Sequence, residues 1–259
     1  VAGRALTGRH VSAIIADPGE RWVAAGCHDG GLYLSVDAGR SWEPRNEGLS
    51  IAHVFSLASA GPAASPTLYL GTQPVSLFRS DDLGRSWREL PALKTMPGRE
   101  KWTFPDPTNT SHTKCIAIDR RNPERLYVAV EQGGLFRSDD GGAHCRELDS
   151  YYRASDRWYH DIHRIVQLAA DADRFYMTSC MGLYASANSG ESWEHLTDPD
   201  FRIGYPDHFV VSPKDPRELF MSGARQDPTG WRRSHYADGT VLRSRDSGHG
   251  WSEVAAGLP

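Results

Sequence analysis

Three histidines at one repeated position are the side chains whose types and spacing best suit shared chemistry. His10, His53 and His112 each stand directly before a short apolar segment. Neutral imidazoles that converge from neighbouring segments are ligands for transition metals, with zinc–nitrogen distances of about 2.0–2.1 Å. The spacing therefore predicts a metal site wherever these segments lie side by side. The segments align on one aliphatic residue each: Ile14, Leu57 and Ile116.

Two further histidines extend this pattern less regularly. His163 precedes Arg164 and is one residue out of register unless a bulge intervenes, and His208 opens a shorter segment with a poorer match. The alternative for any single histidine is a hydrogen bond to a neighbour or to a loop carbonyl. The expected metal ligands are His10, His53, His112, His163 and His208.

His28 and Glu131 lie between consecutive apolar segments, in loops that should reach the same end of the molecule. We expect them to act as an additional ligand, as a partner of a ligand, or as a general base in catalysis. The alternative is that both are solvated turn residues. His144 and His249 belong to a different motif and are expected at the opposite end.

That motif is a repeat with the pattern S-x-D/N-x-G-x-x-W. The strands around each copy must position the histidines. Cys145 replaces the tryptophan in the third copy. Asp or Asn can accept hydrogen bonds from nearby amides, glycine can take a positive φ, and the tryptophan can pack on the turn. The pattern predicts a hairpin with a structural role. The five copies begin at Ser35, Ser80, Ser138, Ser186 and Ser244.

Three apolar segments precede or adjoin each copy, and a fourth follows it, which predicts four short strands per repeat. The copies resemble the boxes of the BNR/Asp-box repeat proteins, which include sialidases, sortilin-type receptors, xyloglucan-active hydrolases and photosystem assembly factors. The resemblance covers nearly the whole chain. It implies an all-β fold, a β-propeller of four-stranded antiparallel blades with the box between the third and fourth strands. It implies no particular activity, because one fold hosts many chemistries.

The repeats predict one β-propeller domain over residues 1–259. A closed ring of five Asp-box blades is the simplest interpretation, and part of a six- or seven-bladed ring is the alternative. The long segments are all expected at one end of the blades, opposite the boxes. Loops on a rigid scaffold usually carry binding groups. These segments are rich in aromatic and charged residues: 92–111, 149–162, 198–207 and 223–239.

Three functions compete. The first is a metal-dependent enzyme, with the histidine cluster at the top of the central channel acting on a small organic substrate. Iron is the first expectation, by architectural analogy with carotenoid-oxygenase propellers, and copper or zinc are alternatives. The second is a glycan-binding or glycoside-hydrolase-like propeller, whose paired carboxylates could come from Asp156, Asp161 and Asp207. The third is a protein-binding scaffold without chemistry.

Charge and hydropathy exclude some partners. The net charge is −4, from 29 basic and 33 acidic residues without a long basic run, which argues against nucleic acid and anionic membranes as partners. The sequence contains no run of about eighteen apolar residues, so no membrane span is predicted. A soluble protein is expected, either cytoplasmic or secreted with its signal removed. The 4 cysteines are spaced irregularly and indicate neither a zinc ribbon nor a disulfide scaffold.

Overall fold

The computed structural model describes residues 6–62, 64–104, 110–152, 160–198 and 200–254. The chain divides into two compact units, Val1–Arg146 (unit 1) and Glu147–Pro259 (unit 2). Each unit is built from four-stranded antiparallel sheets, which are the blades that the repeats predict. In each blade, strands that follow one another in the chain are hydrogen-bonded neighbours. The single domain and the number of blades in its ring stay predictions.

Unit 1 contains the first three blades, and the division between the units falls within the last strand of the third. A short 3₁₀ helix, Arg99–Lys101, lies between the second and third blades. The strands are β1 (Val11–Ala16), β2 (Val23–Cys27), β3 (Gly31–Ser35) and β4 (Glu43–Pro44); β5 (Val54–Ala60), β6 (Thr67–Thr72), β7 (Ser76–Ser80) and β8 (Arg88–Leu90); β9 (Thr113–Ile118), β10 (Leu126–Val130), β11 (Gly134–Ser138) and β12 (Arg146–Glu147).

Unit 2 contains the fourth and fifth blades. The strands are β13 (Ile162–Gln167), β14 (Phe175–Ser179), β15 (Gly182–Ser186) and β16 (Glu194–His195); β17 (Tyr205–Val211), β18 (Leu219–Ala224), β19 (Gly239–Ser244) and β20 (Trp251–Glu253). A short helix, α1 (Pro228–Ser234), interrupts the loop between β18 and β19. The Asp227 carboxylate caps it by accepting the N–H of Gly230 at 2.9 Å. No helix in the described part of the chain has the length and hydropathy to cross a membrane.

The hydrophobic cores lie between the faces of neighbouring blades within each unit. Leu32 of the first blade packs with Phe78 of the second, and Tyr176 of the fourth packs with Met221 of the fifth. Every residue of β10 and β14 is buried, because these central strands are covered on both faces. A single blade could not hide two apolar faces, so the blades stabilise one another. The sheets confirm the predicted all-β fold class.

The Asp boxes form the predicted hairpins between the third and fourth strands. Ser80 Oγ donates to Asp82 Oδ1 at 2.8 Å and accepts the N–H of Gly84 at 2.8 Å. The same glycine-to-serine bond occurs in every box, at 2.8–2.9 Å. The pattern predicted one residue with positive φ, whereas two successive residues have it. The additional residues are Ala38, Leu83, Gly141, Ser189 and Ser247.

Replacing Ser80 by alanine is expected to lower the free energy of unfolding by about 1–3 kcal/mol, because the buried N–H of Gly84 loses its acceptor. Ser80 is 2% exposed, so water cannot readily take its place. The matched control is Ser86→Ala, which removes an exposed hydroxyl that donates to the same Asp82. Urea denaturation measures both variants. An equal loss in the control would contradict this account of the box.

Candidate functional site

The same backbone hydrogen bond closes one end of the first four blades. The residue after the second strand donates its N–H to the carbonyl of the residue before the first strand. This bond places His10, His53 and His112 at one equivalent position, as their spacing predicts, and makes Asp161 the fourth counterpart. The donor and acceptor pairs are His28 and His10, Gln73 and His53, Glu131 and His112, and Cys180 and Asp161, at 2.9–3.1 Å.

A β-bulge lies near the start of the first strand in every blade, and in the first four blades the bulge residue comes two residues after this position. His163 is itself the bulge residue of the fourth blade, and His208 follows the bulge residue of the fifth. Because all five blades share the bulge, it does not bring His163 into register with the first three histidines. The predicted alignment of His163 and His208 with them is therefore wrong. The bulge residues are Ser12, Phe55, Lys114, His163 and Asp207.

Three histidines of unit 1 lie in contact and are called the histidine cluster below: His10, His28 and His53. The ring centroids of His10 and His28 are 4.2 Å apart, and those of His28 and His53 are 4.5 Å apart. His10 is exposed, whereas His28 and His53 are half-buried. Partial burial, together with the nearby imidazoles of His53 and His10, lowers the pKa of His28 to about 4. His28 is therefore uncharged at neutral pH.

We expect His28 to titrate near pH 4 in the presence of a chelator, as followed by the NMR shift of its imidazole protons. Its pKa is lower in the folded than in the unfolded chain, where about 6.5 is usual. As the pH falls, the unfolded chain therefore binds the proton first, which favours unfolding. The free energy of unfolding is unaffected by His28 above about pH 6.5 and decreases as the pH falls from there towards 4. His53→Asn should raise the pKa of His28, and titration of the wild-type residue near 6.5 would disprove the expectation.

Phe55 separates His112 from the histidine cluster. Its ring stacks on His28 at 4.4 Å with an interplanar angle of 27°, and on His112 at 3.8 Å with an angle of 26°. The structure therefore groups His28, rather than His112, with His10 and His53. The sequence pattern missed Phe55 because the bulge that presents its ring has no distinctive residue type.

His112 instead faces the second residue predicted from the loops. Its Nε2 lies 2.9 Å from Glu131 Oε2, and Lys114 Nζ lies 2.8 Å from the same oxygen. The side chains of His112 and Glu131 are 1% and 7% exposed, whereas that of Lys114 is 27% exposed. The buried carboxylate is thus engaged by two basic groups. The catalytic roles of Glu131 and His28 stay predictions.

His163 takes part in a buried network of unit 2. Its Nδ1 lies 2.5 Å from the carbonyl oxygen of Pro206, which can only accept, so Nδ1 carries a hydrogen. Its Nε2 lies 3.1 Å from the Tyr205 hydroxyl and 3.4 Å from Asp161 Oδ1, while that hydroxyl donates to Asp161 Oδ2 at 3.2 Å. Both ring nitrogens of His163 therefore have oxygen partners within unit 2. The role of His163 as a metal ligand stays a prediction.

The Tyr205 ring also forms an aromatic pair with Trp231 of α1. Their centroids are 5.7 Å apart and their planes meet at 88°, and both rings are half-buried. Arg225 and Gln226, in the loop that leads to α1, are exposed. Aromatic residues in such a loop can pack on the blade or line a pocket for a ring-shaped ligand. Half-burial of both rings is compatible with either role.

The carboxylates considered for glycoside hydrolysis have different environments. Asp161 is buried and accepts the hydrogen bond of Tyr205, whereas Asp207 and the neighbouring His208 are exposed. Asp156 lies outside the described residues. The predicted pairing of two of these acids across a cleft stays a prediction.

No family model matches the chain. One curated relative is the oligoxyloglucan-reducing end-specific xyloglucanase of Emericella nidulans, which is 23% identical over 221 residues. The alignment covers 80% of this chain and 26% of the relative. The chain therefore spans about a quarter of the length of the relative that it matches.

Solved structures of similar fold include an ancestral GH74 enzyme, with a TM-score of 0.75 and 22% identity over 97% of this chain and 32% of that one. The GH74 xyloglucanase from Xanthomonas campestris has a TM-score of 0.68 and 21% identity over 97% of this chain and 38% of its own. YCF48 from Cyanidioschyzon merolae has a TM-score of 0.57 and 11% identity, covering 96% and 86% of the two chains. Likeness at these identities concerns the fold, and it agrees with the five four-stranded sheets. The chain is a repeat protein of the β-propeller fold.

Proposed function

We propose that this protein recognises a xyloglucan-type oligosaccharide through the aromatic pair of Tyr205 and Trp231. The observation that carries the proposal is this half-buried, perpendicular pair beside a buried carboxylate. The proposal is supported by the sequence relative and one of the structural relatives, which are xyloglucanases. These relatives favour the glycan-directed alternative over the metal-dependent enzyme that the histidines led us to expect.

The chemistry of a sugar ring suits such a pair. A pyranose ring has apolar C–H faces and a rim of hydroxyl groups, so an aromatic face can bury its carbons while polar groups bind its edge. Tyrosine and tryptophan combine a large apolar ring with one polar atom, which suits a ligand of this mixed character. Because the planes of the two rings meet at 88°, the pair offers a sugar two nearly perpendicular aromatic surfaces.

The polar groups around the pair complete the recognition. Asp161 and His163 hold the Tyr205 hydroxyl from two sides, which fixes the orientation of its ring. Arg225 and Gln226 are exposed in the loop that carries Trp231, and their side chains can donate to sugar oxygens. The aromatic pair supplies contact area and the loop supplies hydrogen bonds.

Trp231→Ala is the variant that tests the proposal. We expect it to weaken binding of xyloglucan oligosaccharides at least about tenfold, as measured by calorimetry, which corresponds to about 1.4 kcal/mol of binding free energy. The matched control is Trp251→Ala, which removes a half-buried tryptophan from the box end of the same blade, where its ring packs on Phe201 at 5.8 Å. The control should bind like the wild type once its folding has been verified by circular dichroism.

Equal weakening in both variants would assign the effect to blade stability rather than to the aromatic pair. Absence of wild-type binding to xyloglucan, cello-oligosaccharides and every other glycan on an array would overturn the proposal. The same samples are assayed for newly formed reducing ends, because hydrolysis of a glycosidic bond produces one. Most glycoside hydrolases use two carboxyl groups. Cleavage that Asp161→Asn abolishes while binding persists would extend the proposal from recognition to hydrolysis.

A further inference from the structure

We propose that His10, His28 and His53 form a binding site for a divalent transition-metal ion of the kind that prefers imidazole nitrogen. Imidazole ligands suit zinc, copper, nickel and iron. The site belongs to unit 1 and uses none of the residues assigned above to the glycan. It therefore stands apart from the proposed function.

The spacing of neighbouring rings in the cluster is close to what a shared ion requires. A nitrogen–metal bond of about 2.0–2.1 Å places the ring centroid about 3.2 Å from the ion, so two imidazoles at a tetrahedral angle have centroids about 5 Å apart. The observed separations are 4.2 Å between His10 and His28, and 4.5 Å between His28 and His53. The His28 ring is thus near enough to each of the other two to share an ion with it, and the His10 and His53 rings must turn towards one point for all three to bind the same ion.

The backbone already holds the three residues in place. His28 is joined to His10 by its N–H, which donates to the His10 carbonyl at 2.9 Å. The first and second blades are joined beside the cluster by Ser12 Oγ, which donates to the carbonyl of Val54 at 2.6 Å. The ligands thus come from two blades whose strands are fixed to each other, so binding requires ordering of side chains rather than of the chain.

The cluster is accessible to solvent. His10 is exposed and the other two histidines are half-buried, so an ion can enter from solvent and keep water in its remaining positions. His112 is not a member of this set, because the Phe55 ring lies against both His28 and His112. This distinguishes the proposed ligands from the set predicted by spacing alone.

The test uses the full chain without a histidine tag, stripped with a chelator and titrated with Zn²⁺ by calorimetry. A parallel titration with Co²⁺ follows the visible absorption that reports tetrahedral coordination. We expect one ion per chain, and at least about tenfold weaker binding in both His28→Asn and His53→Asn. Two controls should bind like the wild type: His112→Asn, and His144→Asn in a box, whose side chain is 89% exposed.

A second measurement does not depend on calorimetric heat. Zn²⁺ should raise the melting temperature of the wild type but not that of the His28→Asn/His53→Asn double variant, because a ligand of the folded state stabilises it. Wild-type affinity no greater than that of the double variant would overturn the proposal. So would a loss in His112→Asn as large as that in His53→Asn. No glycan is present, so these results are independent of those for Trp231.

Discussion

Replacing Glu131 by leucine is expected to destabilise the protein by about 3 kcal/mol. Breaking a buried ion pair by removing one partner usually costs about 3–5 kcal/mol, since the other charge remains without compensation. The Lys114 ammonium lies 2.8 Å from the Glu131 carboxylate and is 27% exposed, so it regains some water when the carboxylate is lost. The expected cost is therefore at the lower end of that range.

The double variant Lys114→Met/Glu131→Leu is the control that separates charge from packing. It leaves no ammonium to be compensated, and replacing a buried ion pair with apolar residues is often nearly neutral, while the contact of His112 with Glu131 is lost in both variants. We expect it to regain a substantial part of the stability lost by Glu131→Leu, as measured by urea denaturation in a double-mutant cycle. A double variant no more stable than the single one would show that the Lys114 ion pair is not the cause.

Replacing Gly48 by alanine is expected to cost about 2–5 kcal/mol. Its φ is +78°, where an L-residue with a Cβ pays about 1–2 kcal/mol. The added Cβ would also lie 2.2 Å from the carbonyl oxygen of Trp87, and overpacking usually costs about 1–3 kcal/mol more. Trp87 cannot withdraw easily, because its N–H donates to the Glu47 carbonyl at 2.8 Å and its Nε1 to the Arg45 carbonyl at 2.9 Å.

Gly8→Ala isolates the backbone contribution from the steric one. Gly8 has a φ of +81°, but among the described residues no neighbouring atom lies within 4 Å of the position that its Cβ would take. We expect only the conformational cost of about 1–2 kcal/mol in that variant. Thermal and urea denaturation of the two variants should therefore differ. Equal losses of stability in Gly48→Ala and Gly8→Ala would mean that the segment around Gly48 shifts to admit the methyl group.

The five boxes and the strands around them could be predicted from the amino-acid sequence. The turn between the serine and glycine of each box is closed by bonds between residues no more than four positions apart, such as those joining Ser80, Asp82 and Gly84. Interactions of this range depend on residue type and spacing, which are visible in the sequence. The equivalence of His10, His53 and His112 follows for the same reason, because the repeats are nearly equal in register up to that position.

The composition of the candidate sites was decided by tertiary structure. Phe55 reaches His28 and His112, which are 27 and 57 residues away in the chain, from a bulge that carries no sequence signature. His163 stands at the bulge of its strand rather than at the position of the first three histidines, and there it is engaged by Tyr205 and Pro206 of the following blade. The sequence determined which residues stand at the ends of the strands. Packing between blades decided which of them meet, because contacts between distant segments depend on bulges and on the way that faces fit together.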